Sequence, residues 1–491
     1  MDIVRLLVVV LLFVAFAFAM FLRKLPALIA LPAMAILLPL AAGVTVTDVV
    51  QQVIGEGALR LHNAYTVALF GGMLSVLLQK TGVADSLIKK GAELAGDNPL
   101  AIALITLMLI ALLFTTLGGL GAIIMVATVV VPIMSSVGIG PFSVTGVFLI
   151  GISMGGLLNA GNWAVYRDVL GLAVSDIRSF ALVMFALTTL TGVIYVVVQL
   201  YRDGHDLNLK KTALWGTMLL CLVVAGVVGY FSLSDACRAA ILITAHLTGT
   251  VLKFAIAAIL VLFFLWALAR IPHASKKATS TFFGGAYLSP LVPLLLILLF
   301  DVNFVAAFVI GLVYAFVCGY RRGALNLFVR AVLEGGTMVM PAVALMLGIG
   351  MLLNAIMGPG EAWEVQGGRE WPVLALLRPF LLHLIPASRP SYVLLFGLAA
   401  PLALYRGPLN VWGMGYGLAA AFLASGMAPG AVMGVLMAVG QIQGISDPTN
   451  THNVWLANQM QQDVQKVLWN TLPYSWALAW AGLVAASARF M

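Results

Sequence analysis

Apolar runs of roughly 17–20 residues recur along the chain from Val4 to Ala486, separated by short polar stretches. A helix rises about 1.5 Å per residue, so each run is about long enough to cross ~30 Å of hydrocarbon. The pattern predicts an all-α polytopic membrane protein, and no stretch reads as a soluble domain. The first run, Ile3 to Phe21, carries only Asp2 and Arg5 as charges, has no small-residue cleavage site and is closely followed by another run. It reads as a retained span rather than a signal peptide.

The pattern also repeats. Gly119, Gly138, Gly146-Val147, Gly156 and Asn162 recur at an offset of 288 as Gly407, Gly426, Gly434-Val435, Gly444 and Asn450. Upstream, Gly72-Met73-Leu74 and Gly82 recur at an offset of 278 as Gly350-Met351-Leu352 and Gly360. Self-similarity of this kind divides the chain into a first repeat (1–211), linker helices (212–280) and a second repeat (281–491). Each half is expected to start with two spans (4–22 and 25–43; 284–300 and 303–319). An amphipathic segment and a third span follow (64–80; 337–357), then a surface-lying helix (Ala84 to Ala95; Val373 to Leu384). Next comes an apolar arm, after Pro99 or Pro390, that runs into a Gly-rich interruption and a second arm. A helix broken by polar residues and a closing span (178–200; 471–488) end each half. Two or three extra spans are expected between Ala213 and Arg270.

Composition agrees with a bilayer as solvent: 62% of residues are hydrophobic and 9% charged, and the mean hydropathy is +1.09. The net charge of +8 is expected to sit in cytoplasmic loops, with no nucleic-acid partner. The basic loops carry Arg23 and Lys24; Lys80, Lys89 and Lys90; Arg202, Lys210 and Lys211; Arg270, Lys276 and Lys277; and Arg321, Arg322 and Arg330. They alternate with loops bearing Asp48 and Glu56, Asp235, Asp301, and Glu361 and Glu364. This alternation places both termini outside the cytoplasm of a multi-pass protein, expected in a bacterial plasma (inner) membrane. It also orients the third span oppositely in the two halves, which makes the repeats inverted and offers two equivalent shapes, one open to each side. Cys221, Cys237 and Cys318 lack disulfide or metal-ligand spacing.

Four polar or Gly-rich clusters interrupt the apolar runs: Thr115 to Gly121, Gly155 to Trp163, Tyr405 to Asn410, and Gln441 to Asn453. Unpaired backbone groups are costly in hydrocarbon, so such clusters read as two re-entrant hairpin tips facing two unwound helices. The candidate substrate-binding residues are Thr116, Gly118, Gly119, Gly156, Asn159, Asn162, Arg406, Gly407, Asn410, Ser446, Thr449, Asn450, Thr451, His452 and Asn453. Arg406 and helix N-termini near Gly119 and Gly156 would meet an anion. Asp447, Asn159, Asn162, Thr449 and Asn450 would coordinate a coupling ion or relay a proton. Arg167 and Asp168 read as an interfacial pair, and Glu334 as solvated.

At these residues the chain resembles the ion transporter superfamily, which contains citrate, gluconate and C4-dicarboxylate permeases and some Na⁺/H⁺ antiporters. The resemblance covers most of the chain and lies in the layout: inverted repeats, a hairpin entering from each side and one broken helix per half. It implies substrate held between hairpin tips and breaks, an elevator movement of that unit against a scaffold, and a homodimer. The Ser-Asn-Thr tip motif of the dicarboxylate and citrate symporters is absent from both hairpins. The expected function is symport of a small organic anion, a carboxylate, coupled to H⁺ or Na⁺ and with no other cofactor. The alternative is a Na⁺/H⁺ antiporter on the same fold. No nucleophile elbow, His-Glu metal motif or phosphate-binding Gly-rich loop is present in the sequence, so the chain reads as a non-enzyme.

Overall fold

A computed structural model describes residues 2–22, 24–207, 235–273, 284–321, 323–360, 370–381, 385–386, 388–411 and 415–491. Arg23, Lys210, Lys211, Cys221, Lys276, Lys277, Arg322, Glu361, Glu364 and the first part of the expected linker spans lie outside the described residues. Among the described residues every regular element is a helix. Seven helices, or eight if one bent pair counts as a single span, are long and apolar enough to cross a membrane. The protein is a polytopic α-helical membrane protein.

In the first half, α1 (Asp2–Phe21) leads into α2 (Ala27–Ala42) through Pro26, whose extended backbone starts the second helix. A π-helical stretch (Val49–Gly55) precedes α3 (His62–Thr81) and the amphipathic α4 (Val83–Ala95). α4 buries Val83, Ala84 and Ile88 and exposes Lys89 and Lys90, as a helix lying on a surface should. The first hairpin is α5 (Pro99–Phe114), capped by Asn98, and α6 (Gly119–Ser136). α7 (Pro141–Leu157) and α8 (Ala160–Leu170) meet at a 53° bend. α9 (Val174–Arg202) ends the half, and α10 (Asp235–Arg270) links it to the next.

The second half runs α11 (Val292–Phe300), α12 (Phe304–Cys318), α13 (Ala324–Met357) and α14 (Pro372–Leu381). Its hairpin is α15 (Arg389–Ala399), continued by a 3₁₀ turn from Ala400 that is broken by non-helical backbone at Leu404 and Tyr405, and α16 (Tyr416–Ala424). α17 (Pro429–Ser446), α18 (Thr451–Gln459) and α19 (Val464–Phe490) complete it. In the most apolar 18-residue window of the α17–α18 stretch 83% of the residues are buried, whereas in those of α1 and α10 11% are. The broken helix is therefore at the centre and α1 and α10 at the periphery.

Three expectations change. The span expected at 284–300 is a 3₁₀ turn followed by α11 of only nine residues, with Pro293 in its first turn, where a helix tolerates the missing N–H. The amphipathic segment and third span of the second half form one helix of 34 residues. Glu334 is exposed, as expected, and pairs at the surface with Lys80 of α3 at 2.8 Å. Asp168 turns its carboxylate to the N-terminus of α3, accepting from Ala64 N at 3.2 Å and Asn63 Nδ2 at 3.4 Å, instead of pairing with Arg167.

α3 and the short helical turn before it (Glu56–Leu59) pack along α13, each through a glycine contact that lets the backbones touch. A Cβ on Gly72 would lie 2.6 Å from Gly335 O, and one on Gly57 would lie 2.8 Å from Met351 Cα beside Gly350. The offset of 278 maps Gly57 onto Gly335 and Gly72 onto Gly350, so it exchanges one contact for the other. Left-handed glycines recur in step as well: Gly82 (φ 79°) with Gly360 (φ 70°), and Gly138 (φ 81°) with Gly426 (φ 90°).

Candidate binding site at the two broken helices

α7 ends at Leu157 and α17 at Ser446, which leaves their last carbonyls without the N–H groups a continuing helix would supply. Side chains of the following arm supply them in both halves. Asn162 Nδ2 donates to Gly156 O at 2.7 Å, and Trp163 Nε1 to Leu157 O at 2.7 Å. Asn450 Nδ2 donates to Gln443 O at 2.5 Å, and Asn453 Nδ2 to Ile445 O at 3.2 Å. His452 Nε2 lies 3.2 Å from Gly444 O, which places the ring proton on Nε2. The polar composition of both breaks thus has a local cause. Asn159 adds a tie between elements: its Oδ1 accepts from Gly161 N at 2.9 Å, and its Nδ2 donates to Phe114 O at the end of α5 at 3.3 Å.

The hairpin tips are built differently. In the first, Thr115 and Thr116 donate to Leu112 O and Leu113 O, and Gly119 turns the chain in a left-handed conformation against Met338 of α13. In the second, Tyr405 (φ 55°) and Arg406 (φ 56°) are left-handed although both carry a Cβ, a strained pair that needs outside support. Asp447 provides it from the break. The buried carboxylate accepts from Tyr405 N (3.0 Å), Asn410 Nδ2 (3.2 Å), Thr449 N (2.9 Å) and Thr449 Oγ1 (2.8 Å). Gly407 is required at this tip because a Cβ would collide with Leu402 O.

Two cavities adjoin at the breaks. The first, about 370 Å³, lies between the first hairpin tip and the frame of α3, α12 and α13; it is lined by Thr116, Gly118, Gly119, Asn159, Phe114 and Phe308 among others. The second, about 390 Å³, lies between α7, α17 and the second hairpin; Arg406, Asn450, Ser153, Tyr166, Gln441 and Gln443 face it. Both share Ile152, Gly156, Asn162, Thr451 and His452. Arg406 is exposed on the wall of the second cavity and makes no hydrogen bond or ion pair among the described residues.

Thus Thr116, Gly118, Gly119, Gly156, Asn159, Asn162, Arg406, Asn450, Thr451 and His452 come together around the cavities, and Gly407, Asn410, Ser446, Asp447, Thr449 and Asn453 line neither. Ser446 instead joins Thr471 (2.9 Å) and Ser475 (2.8 Å) of α19. Gly156 is in the last turn of α7, so the nearest helix N-terminus is that of α8, at Ala160. Ser153, unremarkable in its apolar run, donates to Gln441 Oε1 at 2.7 Å where α7 crosses α17. Ser153 and Gln441 are 288 apart, the offset of the repeat, so alignment of the two halves is the signal that marks both.

No protein-family model matches the chain, and no curated protein matches it. Solved structures do align with it. The Alcanivorax borkumensis YdaH transporter aligns over 88% of this chain and 86% of that one, at 15% identity and a TM-score of 0.43. Neisseria gonorrhoeae MtrF, described with a class of antimetabolite efflux pumps, aligns over 90% of this chain and 82% of that one, at 12% identity and a TM-score of 0.47. At these values the functional reading rests on the site itself.

Proposed function

We infer that the protein is a secondary transporter that carries a small organic anion, a carboxylate, coupled to H⁺ or Na⁺. The observation that carries this reading is Arg406, a guanidinium without a protein partner on the wall of a cavity that adjoins a second one at two interrupted helices. A carboxylate would complete the guanidinium's fork of donors, and the α6 N-terminus at Gly119 and Leu120 lies on the wall of the first cavity. The exchange of contacts between Gly57, Gly72, Gly335 and Gly350 supports inverted repeats, since a two-fold axis relating the halves would produce that reciprocity. Ser153 bonded to Gln441 supports the same axis, here joining a position to its own counterpart. In this reading the hairpins and broken helices move together against α2, α3, α12 and α13, the elevator form of alternating access within the ion transporter superfamily layout.

The test is thermal stability of the purified protein in detergent against a panel of organic acids, with and without Na⁺. A shift with one carboxylate, larger with Na⁺, is expected. Arg406→Ala should weaken its half-effect concentration by roughly 10- to 100-fold, as loss of a charge-assisted contact worth ~1.5–3 kcal/mol implies. Shifts with Na⁺ alone and with no acid would replace the symporter by a cation/proton antiporter.

A further inference from the structure

α10 is the least enclosed long helix beside α1, yet one stripe of it faces the protein. Ala257, Leu260, Val261 and Phe264 of that stripe line a groove of about 550 Å³ whose other walls are α11 and α12, including Leu296 and Val309. The groove follows from the shortness of α11. Nine residues of helix reach about 13 Å, less than half of the hydrocarbon thickness, so the wall beside α12 is left incomplete. Its volume is within the range of ligand sites, roughly 300–1,000 Å³, and its lining is carbon almost throughout.

Lys253 stands on the same stripe. Positions 253, 257, 260 and 264 follow the i, i+4, i+7, i+11 spacing of one helix face. The apolar span begins at Leu247, which puts Lys253 about 9 Å inside it. The side chain is exposed and has no hydrogen bond or ion pair among the described residues. Asp301, which follows α11, is already held by Arg178 at 3.0 Å. Helical side chains lean toward the N-terminus, so the ammonium reaches back toward the membrane surface while the groove continues beneath it.

We propose that this groove holds one phospholipid, its phosphate on the Lys253 ammonium and one acyl chain laid along α10 against α11 and α12. The phosphate neutralises a charge that is unpaired among the described residues inside an apolar span, and the chain fills the depth that α11 does not reach.

Native mass spectrometry of delipidated protein titrated with dioleoyl phosphatidylglycerol tests this directly. One adduct is expected on the wild type, about fivefold weaker on Lys253→Gln and restored on Lys253→Arg. Ala257→Trp, which fills the groove, should lose the adduct. Each variant is compared by its lipid-free melting midpoint, which should equal that of the wild type. Equal adducts on the wild type, Lys253→Gln and Ala257→Trp would overturn the proposal, as would diacylglycerol binding as well as the phosphatidylglycerol does. Loss of a dimer in Ala257→Trp with the lipid adduct retained would give the groove to a second copy of the chain instead.

Discussion

Asp447 accepts four hydrogen bonds, as many as the lone-pair sites of a carboxylate, and they come from the hairpin tip as well as from its own break. An amide replaces it only in part: with its oxygen in place of Oδ1 it keeps the bonds from Tyr405 and Thr449, but its nitrogen then faces Asn410 Nδ2, donor against donor. Asp447→Asn is expected to destabilise the protein by about 1.5–3 kcal/mol, read as a lower denaturation midpoint in detergent. An unchanged midpoint with loss of ion dependence would assign the carboxylate to the coupling ion. Asp85 makes a pH-dependent case. On the half-buried side of α4, its Oδ1 has no hydrogen-bond partner among the described residues, and burial pushes its carboxyl above the ordinary range despite Lys89. A raised folded-state pKa favours the protonated form, so the penalty grows as pH rises past the unfolded value of about 4. Asp85→Asn should therefore raise the midpoint at neutral pH, and the gain should vanish on acidification toward pH 4. Sequence singled out Asp447 as a charge in a span, yet not its bonds to Tyr405 and Asn410, which depend on the fold of a distant hairpin.

At the scale of elements, the apolar runs and Gly-rich interruptions marked the hairpins and both breaks, because hydrocarbon tolerates no unpaired backbone. Sequence was blind to the division of labour within the breaks. An asparagine that caps a carbonyl and one that holds a ligand have the same side chain, and only geometry separates them. Asn162 and Asn450 do both: each caps an arm end and faces a cavity. Leucine at either position leaves a carbonyl unpaired, so Asn162→Leu and Asn450→Leu should each cost about 1–3 kcal/mol in chemical denaturation. The shortness of α11 was also hidden, since its apolar run is long enough to span and a proline alone does not mark a helix start here: Pro32, Pro39 and Pro341 lie inside continuous helices.

At the scale of the whole molecule, the first hairpin tip rests on the frame while the second is fastened to the broken helix beside it. A Cβ on Gly121 would lie 3.3 Å from Met338 Sδ on α13. Joining Gly121→Cys to Met338→Cys with a short thiol-specific cross-linker should arrest uptake in vesicles, and uncross-linked protein carrying both substitutions should retain it. Full uptake by the cross-linked protein would show that the hairpin does not leave α13 during the cycle. The repeated layout was legible at this scale from glycines and one asparagine, while the contacts that support the proposed axis come from the structure alone. Under that proposal, Ser153 and Gln441 are one position facing its own counterpart. In a half-length ancestor pairing with an upside-down twin, this position would have met itself, and no mutation could have altered one side of the contact without the other. Were the two halves fused copies of one gene, that constraint would have been lifted and the pair free to differ, as a hydroxyl and an amide do here, in a chain that has an arginine at only one of its two hairpin tips.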